Sequence, residues 1–307
     1  MRSLDIYAGE DEISFTVLLD NGLEGQWHLK YERDKLVLGY VSPPTISEEM
    51  FEQSLFTDSF HYLQAERIGP RTAFEKSGLL SKKSKQLGTR GEYAAHFLTL
   101  FGREHICSSK LAFPDVDSQK LAQQVEAWLG KISPGTRLHL IDLSNIDLIN
   151  LQYSFDEGKI EIIERTQYRS TNVGFGITYV LPVIVALLSS SPKALVLLEN
   201  PEAHLHPQGQ AKMGELIARA ASCGIQVVVE THSDHVLNGI LIAVHAGILK
   251  PEEVNLHFFQ RSNKPDDMSS EIISPKVNRD GRLDQWPDGF FDEWDKSVEI
   301  LLGPSAA

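Results

Sequence analysis

Between residues 194 and 246, two strand patterns alternate with two helical patterns, and this order restricts the fold more than any other feature of the chain. Ala194 to Leu198 is continuously apolar and Ile225 to Val229 is nearly so, as is typical of strands buried on both faces of a parallel sheet. Apolar residues at helical spacing follow each run, within 213–220 and 236–244. This order implies right-handed parallel crossovers, and ligands then bind at the carboxyl ends of the strands. The sequence therefore predicts an α/β fold whose functional site lies after these two strands.

Other parts of the chain indicate an antiparallel β region and several helices. Residues 6–41 alternate apolar and polar positions around Asp20-Asn21-Gly22, a turn sequence in which Asn and Gly suit left-handed backbone. Ser47 to Phe60 has the spacing of a capped helix. Helical periodicity also marks 91–101 and 118–132, and β-forming residues mark 138–143 and 160–163.

Composition argues against several classes of function. Of the 307 residues 42% are apolar, which is enough for a folded core. Acidic residues outnumber basic ones by 42 to 29, so we expect contact with DNA only through a local basic patch or a partner. Cys107 and Cys223 are too few for a disulfide framework or a thiolate metal site. The longest nearly apolar run, Tyr179 to Leu188, is about half a membrane span. We therefore expect a cytoplasmic protein without a membrane partner.

Two acidic residues follow the first buried strand. Glu199 ends that strand, and Glu202 comes next in Glu199-Asn200-Pro201-Glu202-Ala203-His204-Leu205-His206-Pro207. A carboxylate at the tip of an apolar strand is how nucleotide-hydrolysing folds hold Mg²⁺ beside the β- and γ-phosphates, while a neighbouring carboxylate orients the attacking water. The pattern favours Glu199 as the magnesium ligand. It leaves Glu202 as either the water-orienting group or a structural acid.

Thr231-His232-Ser233-Asp234 follows the second buried strand. An imidazole at this position could sense a γ-phosphate, and Ser233 or Asp234 could cap the next helix. Taken alone, the segment is more simply explained as a helix cap with a structurally satisfied histidine.

The third candidate segment, Ser170 to Gly176, opens the apolar helix pattern that runs to Leu188. Glycines at a helix start let backbone N–H groups approach an anion, and the helix dipole favours negative charge there. Asn172, Gly174 and Gly176 are therefore candidates for a phosphate contact. Pro182 should remove one backbone hydrogen bond from this helix.

Together, the three segments resemble the motifs of ABC/SMC-type ATPase heads, in particular the prokaryotic AAA-like branch allied to overcoming-lysogenization-defect ATPases. Residues 199–207 look like the Walker B motif and D-loop, Gly174-Phe175-Gly176 like the signature motif, and Thr231-His232-Ser233 like the switch histidine segment. The resemblance implies a P-loop NTPase-like head that binds ATP and Mg²⁺ and forms a homodimer around the nucleotide. It assigns Glu199, Glu202 and His232 to catalysis, Glu199 to the metal, and Asn172, Gly174, Gly176 and Asn200 to nucleotide binding.

The resemblance extends beyond these motifs. Tyr62 to Arg71 is similar to a strand-and-loop segment of the same branch, and Gly281 to Glu293 looks like a C-terminal domain of unknown function. The implied parts are a β region of the head at 1–64, a helical and loop insertion at 65–135, the ATPase core at 136–250 and the C-terminal domain at 251–307. These last residues are too few for a Toprim nuclease. Analogy alone implies a role in phage defence or DNA maintenance.

Two departures from the family pattern concern the phosphates. The sequence contains no Gly-x-x-x-x-Gly-Lys-Ser/Thr loop. Either a preceding part that carries this loop lies outside the sequence, or another polypeptide supplies it. Asn200 stands where many ATPase heads place the catalytic glutamate, and an amide cannot accept a proton from water.

Two other functions stay open at the level of sequence. A metal-dependent hydrolase could use His204, His206 and His232 together with Asp234 and His235, because His-x-His is a ligand spacing that zinc accepts. A non-catalytic scaffold of the same fold would instead bind an effector protein and no nucleotide.

Overall fold

The computed structural model describes residues 12–32, 37–78, 84–155, 166–262 and 269–303. Its contacts divide the chain into two compact units, Met1–Phe60 and His61–Ala307. Each unit is described by itself.

The first unit contains the predicted antiparallel sheet, with strands β1 (Glu12–Leu18), β2 (Glu24–Glu32) and β3 (Val37–Tyr40) in that order. The predicted turn joins β1 to β2, and Gly22 adopts a φ of +83° there. The predicted helix over Ser47–Phe60 is wrong, because the segment forms two short 3-10 turns, Glu48–Glu52 and Ser54–Phe56. Ser47 makes no side-chain cap, and within these turns Met50 is the buried side chain, so no apolar stripe stabilises a longer helix.

The second unit holds the remaining elements. Its strands are β4 (Phe60–Leu63), β5 (Phe74–Glu75), β6 (Thr136–Leu143), β7 (Leu148–Phe155), β8 (Tyr168–Arg169), β9 (Leu195–Glu199), β10 (Gln226–Glu230), β11 (Phe258–Arg261) and β12 (Ser270–Ile273). Its helices are α1 (Ala94–Phe101), α2 (Leu121–Ile132), α3 (Phe175–Ser189), α4 (Pro207–Ser222), α5 (Asp234–His245) and α6 (Glu293–Leu302). The predicted strand at 160–163 lies outside the described residues.

The predicted parallel pair is present. Strands β9 and β10 run parallel in a sheet of order β10-β9-β4, and Glu199 is the register partner of Glu230. Helix α4 connects the two strands, and α5 follows β10. The α/β class with helices flanking a parallel sheet is therefore confirmed, as is the N-terminal antiparallel region.

Burial of these strands differs from the prediction in one respect. Val196 and Leu198 of β9 are fully buried, but Val228 of β10 is 46% exposed. The prediction that both strands are buried on both faces is therefore wrong for β10, and in β9 the alternate residues Leu195 and Leu197 are only half-buried. Val228 is the register partner of Leu197, so this face of the sheet is less covered in both strands within the described residues.

Helix α3 forms the centre of the core, since every residue from Gly176 to Leu188 is buried. Pro182 lies inside this helix and packs against Gly91, where a Cβ atom would approach the proline ring to 2.3 Å. The second sheet pairs β6 with β7 in antiparallel register, with β5 and β8 also paired to β7. Among the described residues, no helix has the length and apolar character needed to cross a bilayer.

Candidate nucleotide site at the carboxyl ends of β9 and β10

The pairing of β9 with β10 continues for one hydrogen bond beyond Glu199 and Glu230, the last residues of the two strands. The Asn200 N–H donates to the carbonyl of Glu230 at 2.9 Å, after which the chain turns away from the sheet. Asn200 has a φ of +42°, in the left-handed region that asparagine tolerates better than most residues. This backbone requirement explains an asparagine directly after the strand.

The carboxylate of Glu199 is held by two donors. The hydroxyl of Tyr62 on β4 donates to Oε1 at 2.7 Å, and the Ala65 N–H donates to Oε2 at 2.9 Å. These hydrogen bonds, the tyrosine's first, hold the pKa of Glu199 below its ordinary value. Because each carboxylate oxygen has two lone pairs, a charged Glu199 can still coordinate a cation.

Glu202 links the first two candidate segments. Its side chain is buried, and Oε1 accepts a hydrogen bond from the backbone N–H of His232 at 3.1 Å. Its Oε2 is also buried but has no hydrogen-bond partner. Unpaired buried polar atoms are costly and rare, so this oxygen is an atom that a ligand or water would satisfy.

The segment after β10 combines a helix cap with an exposed histidine. Ser233 accepts the Val236 N–H at 3.1 Å and donates to Gln210 at 2.6 Å, so Ser233, rather than Asp234, caps α5. The His232 side chain is 86% exposed, and its Nε2 lies 3.1 Å from Glu230 Oε1. The ring is therefore accessible to a ligand at this edge.

The start of α3 packs against the segment after β9. Asn172 and Gly174 are exposed, whereas Gly176 is buried at the carbonyl of His204. The ring of His204 contacts those of Phe175 and Tyr179, with centroid distances of 4.6 and 5.0 Å. The structure thus brings all three candidate segments to one region of the second unit.

These contacts also account for the histidines of the alternative zinc site. His204 packs against aromatic rings, and His206 caps α4 by accepting the Gln208 N–H at 3.4 Å. In the described part of the chain, which includes all five proposed ligands, no three His, Cys, Asp or Glu side chains are grouped as a metal site would require. The structure therefore does not support the predicted hydrolase built on His204, His206 and His232.

Magnesium places a smaller demand on the protein. Mg²⁺ is usually held by one or two carboxylates, with phosphate and water completing its octahedron. The charged carboxylate of Glu199 fits this donor set, and the unpaired Oε2 of Glu202 is a second oxygen that water could bridge. The residues present are thus compatible with a magnesium–nucleotide complex.

Sequence reasoning missed the role of Tyr62 and left Arg67 open between a contact with phosphate or a partner's carboxylate and a structural salt bridge. Arg67 is 2% exposed, and its guanidinium donates to four backbone carbonyls. The one sequence signal for these contacts was the similarity of residues 62–71 to a strand-and-loop segment of the family. Nothing local in that segment indicated contacts with β9.

Two family models match the chain. Residues 152–238 match an AAA domain family whose description refers to the AbiEii toxin of type IV TA systems. Residues 249–301 match DUF3696, a family of proteins of unknown function. No curated protein sequence matches the chain.

Solved structures of SMC heads are among the structural matches. An SMC head bound to the C-winged helix domain of ScpA is 12% identical, covers 88% of this chain and 76% of its own, and has a TM-score of 0.49. The SMC head domain from Thermotoga maritima is 9% identical, with 87% and 74% covered and a TM-score of 0.38. A structure from work on ATP-driven dimerization and DNA-stimulated activation of SMC ATPases is 14% identical, with 60% and 92% covered and a TM-score of 0.37. The two family models agree with the motifs at the edge of the parallel sheet: residues 152–238 of this α/β fold are similar to an AAA domain family, and the residues that follow are similar to DUF3696.

Proposed function

We propose that this chain is a nucleotide-binding head that holds Mg-ATP at the carboxyl ends of β9 and β10. The observation that carries the proposal is the carboxylate of Glu199, which two donors, from Tyr62 and Ala65, orient and keep charged at the end of β9. Glu199 would hold Mg²⁺, which supplies charge neutralisation beside the phosphates. In a dimer, the exposed turn from Asn172 to Gly176 would offer backbone N–H groups to the γ-phosphate held by the opposing subunit.

Hydrolysis would divide its tasks among three side chains. Water would bond to the γ-phosphorus as the bond to the β-phosphate oxygen breaks, and the water's proton would pass to Oε2 of Glu202. Its Oε1 would meanwhile keep its contact with the switch segment, so Glu202 serves both structure and chemistry. His232 would sense the γ-phosphate, and Asn200 would border the nucleotide.

The phosphate loop would come from another segment or polypeptide, since the sequence contains none. We further propose a homodimer that encloses the nucleotide and signals to an effector protein. Within it, 1–64, 65–135, 136–250 and 251–307 would be the β region, insertion, core and C-terminal domain.

The cellular role is proposed by analogy alone: a cytoplasmic protein in phage defence or DNA maintenance. The net charge of −13 supports contact with DNA through a partner rather than through the chain's general surface.

Calorimetric titration of the chain with ATP, with and without Mg²⁺, tests the proposal. We expect weak binding, with a Kd of roughly 0.1–1 mM for the chain alone, because the phosphate loop supplies much of the affinity in such folds. Glu199→Gln should remove the dependence on Mg²⁺ and lower any hydrolysis by about 10²-fold. Glu104→Gln is the control, since it removes only a surface ion pair with Lys85.

The non-catalytic scaffold predicts a different result in this titration. A folded wild-type chain that binds no Mg-ATP would contradict the proposal and favour the non-catalytic scaffold. Equal loss of binding in both variants would show that the effect does not depend on the strand-end carboxylate.

A further inference from the structure

Arg67 is a buried cation that binds backbone oxygens. Its Nη1 donates to the carbonyls of Gln64 and Glu199 at 3.1 and 2.5 Å, its Nη2 to the Asn200 carbonyl at 2.7 Å, and its Nε to the Tyr179 carbonyl at 3.2 Å. Among the described residues it forms no ion pair within 4.0 Å, although buried arginines are usually paired with an acid. The planar guanidinium has five N–H donors in a fixed geometry, so it can bind carbonyl oxygens from several chain segments at once.

Tyr179 fixes this arginine from helix α3. Its ring lies under the guanidinium, 4.6 Å from the ring centroid to Cζ, and its hydroxyl accepts the backbone N–H of Arg67 at 3.0 Å. The same hydroxyl donates to the carbonyl of Ala65, whose own N–H holds Oε2 of Glu199. A continuous set of hydrogen bonds therefore runs from α3 to the carboxylate.

The start of α3 is also fixed in place. The Phe175 ring fills the space beside Gly69, where a Cβ atom would lie 2.7 Å from that ring, and Gly176 lies against the His204 carbonyl. A displacement of the Asn172–Gly176 turn would therefore move Tyr179 and, through it, Arg67.

We propose that Arg67 and Tyr179 are positioning residues that couple the Asn172–Gly176 turn to the carboxylate of Glu199. Arg67 holds the backbone of Glu199 and Asn200, and Tyr179 transmits the position of α3 to that backbone. The functional consequence rests on the proposed function: a phosphate bound at the turn changes the orientation of Glu199, the magnesium ligand. A cation bound at Glu199 in turn changes the affinity of the turn for phosphate.

Tyr179→Phe tests the coupling, because it keeps the ring and removes only the hydroxyl. Hydrogen exchange of the nucleotide-free full chain, followed by mass spectrometry, should be at least about tenfold faster in peptides covering 64–68 and 199–204, because the change removes both hydrogen bonds of the Tyr179 hydroxyl. Tyr153→Phe is the matched control. Tyr153 is also buried, and its hydroxyl lies 3.2 Å from the Thr178 hydroxyl of α3, outside the set of hydrogen bonds that connects Tyr179 with Glu199.

If hydrogen exchange at residues 199–204 is unchanged in Tyr179→Phe, the coupling is refuted. Equal acceleration of exchange in both variants would also refute it, because that result would indicate a general loosening of α3. In an assembly that hydrolyses ATP, Tyr179→Phe should lower kcat about tenfold with KM unchanged, and Tyr153→Phe should change neither. Failure of the wild type to bind Mg-ATP would contradict the proposed function alone, since the exchange experiment uses no nucleotide.

Discussion

Replacing Gly176 by alanine should destabilise the protein more than the same change at Gly174. A Cβ atom at Gly176 would lie 2.3 Å from the carbonyl oxygen of His204, about 1 Å inside ordinary van der Waals contact. That oxygen belongs to backbone held at a φ of +65°, so it cannot rotate away as a side chain would. At Gly174 a Cβ atom would meet nothing within 4 Å, and the φ of −55° suits any residue.

The magnitude follows from two opposing effects. Overpacking against fixed atoms costs roughly 1–3 kcal/mol, and the better helix propensity of alanine returns at most about 1 kcal/mol. We expect Gly176→Ala to lower the free energy of unfolding by about 1–2 kcal/mol, which lowers the Tm by about 2–8 °C in a unit of this size. Gly174→Ala at the N-cap should lower it by only about 0.5 kcal/mol, because alanine is a poorer N-cap than glycine.

Urea unfolding of both variants, compared at a common m-value, measures the difference. Equal stability of the two variants would refute the packing argument. The pair also separates structure from binding: if Gly174 contacts phosphate, Gly174→Ala should keep most of the wild-type stability and weaken Mg-ATP binding in the calorimetric titration.

Three further predictions use stability and turnover. Ser233→Ala should lower the free energy of unfolding by about 1–2 kcal/mol in urea, because the helix α5 cap is lost; retention of wild-type stability would contradict that role. Val196→Ala should lower the free energy of unfolding by about 2 kcal/mol and Val228→Ala by less than about 1 kcal/mol, since the two side chains are 0% and 46% exposed. If the thermal unfolding transitions of the two variants coincide, Val228 is as buried as Val196 and the prediction is wrong. Glu202→Gln should fold normally, because its amide oxygen can still accept the His232 N–H, but phosphate release should fall about 10²-fold; unchanged release would leave Glu202 with a structural role alone.

Apolar runs and helical spacing in the sequence predicted the strands and helices whose formation depends mainly on neighbouring residues. The parallel pair β9 and β10 followed from two apolar runs and the helical spacing between them, and the end of each strand placed Glu199 and Glu230 correctly. The segment from Ser47 to Phe60 failed because helical spacing of apolar residues stabilises a helix only when its stripe is buried, and there Phe51 is 55% exposed.

The contacts around Glu199 could not be predicted in the same way, because they join residues far apart in sequence. Tyr62 and Glu199 are separated by 137 positions and meet only because β4 pairs beside β9. Arginine near a predicted phosphate site ordinarily indicates an anion contact. Its use for backbone carbonyls depends on burial, which the sequence of a loop does not reveal.

Charge balance connects this buried arginine with the proposed magnesium site. Burial lowers the pKa of Arg67, and Tyr179, Glu202 and Glu199 oppose that effect, so both carboxylates lie within electrostatic reach of the guanidinium. The hydrogen bond from Tyr62 in the first place, and the nearby guanidinium of Arg67 as well, hold the pKa of Glu199 below its ordinary value, and a charged carboxylate favours a further cation at its exposed side. Because the guanidinium is engaged with backbone carbonyls, it favours the charged form of Glu199 without occupying the oxygens that a metal would use.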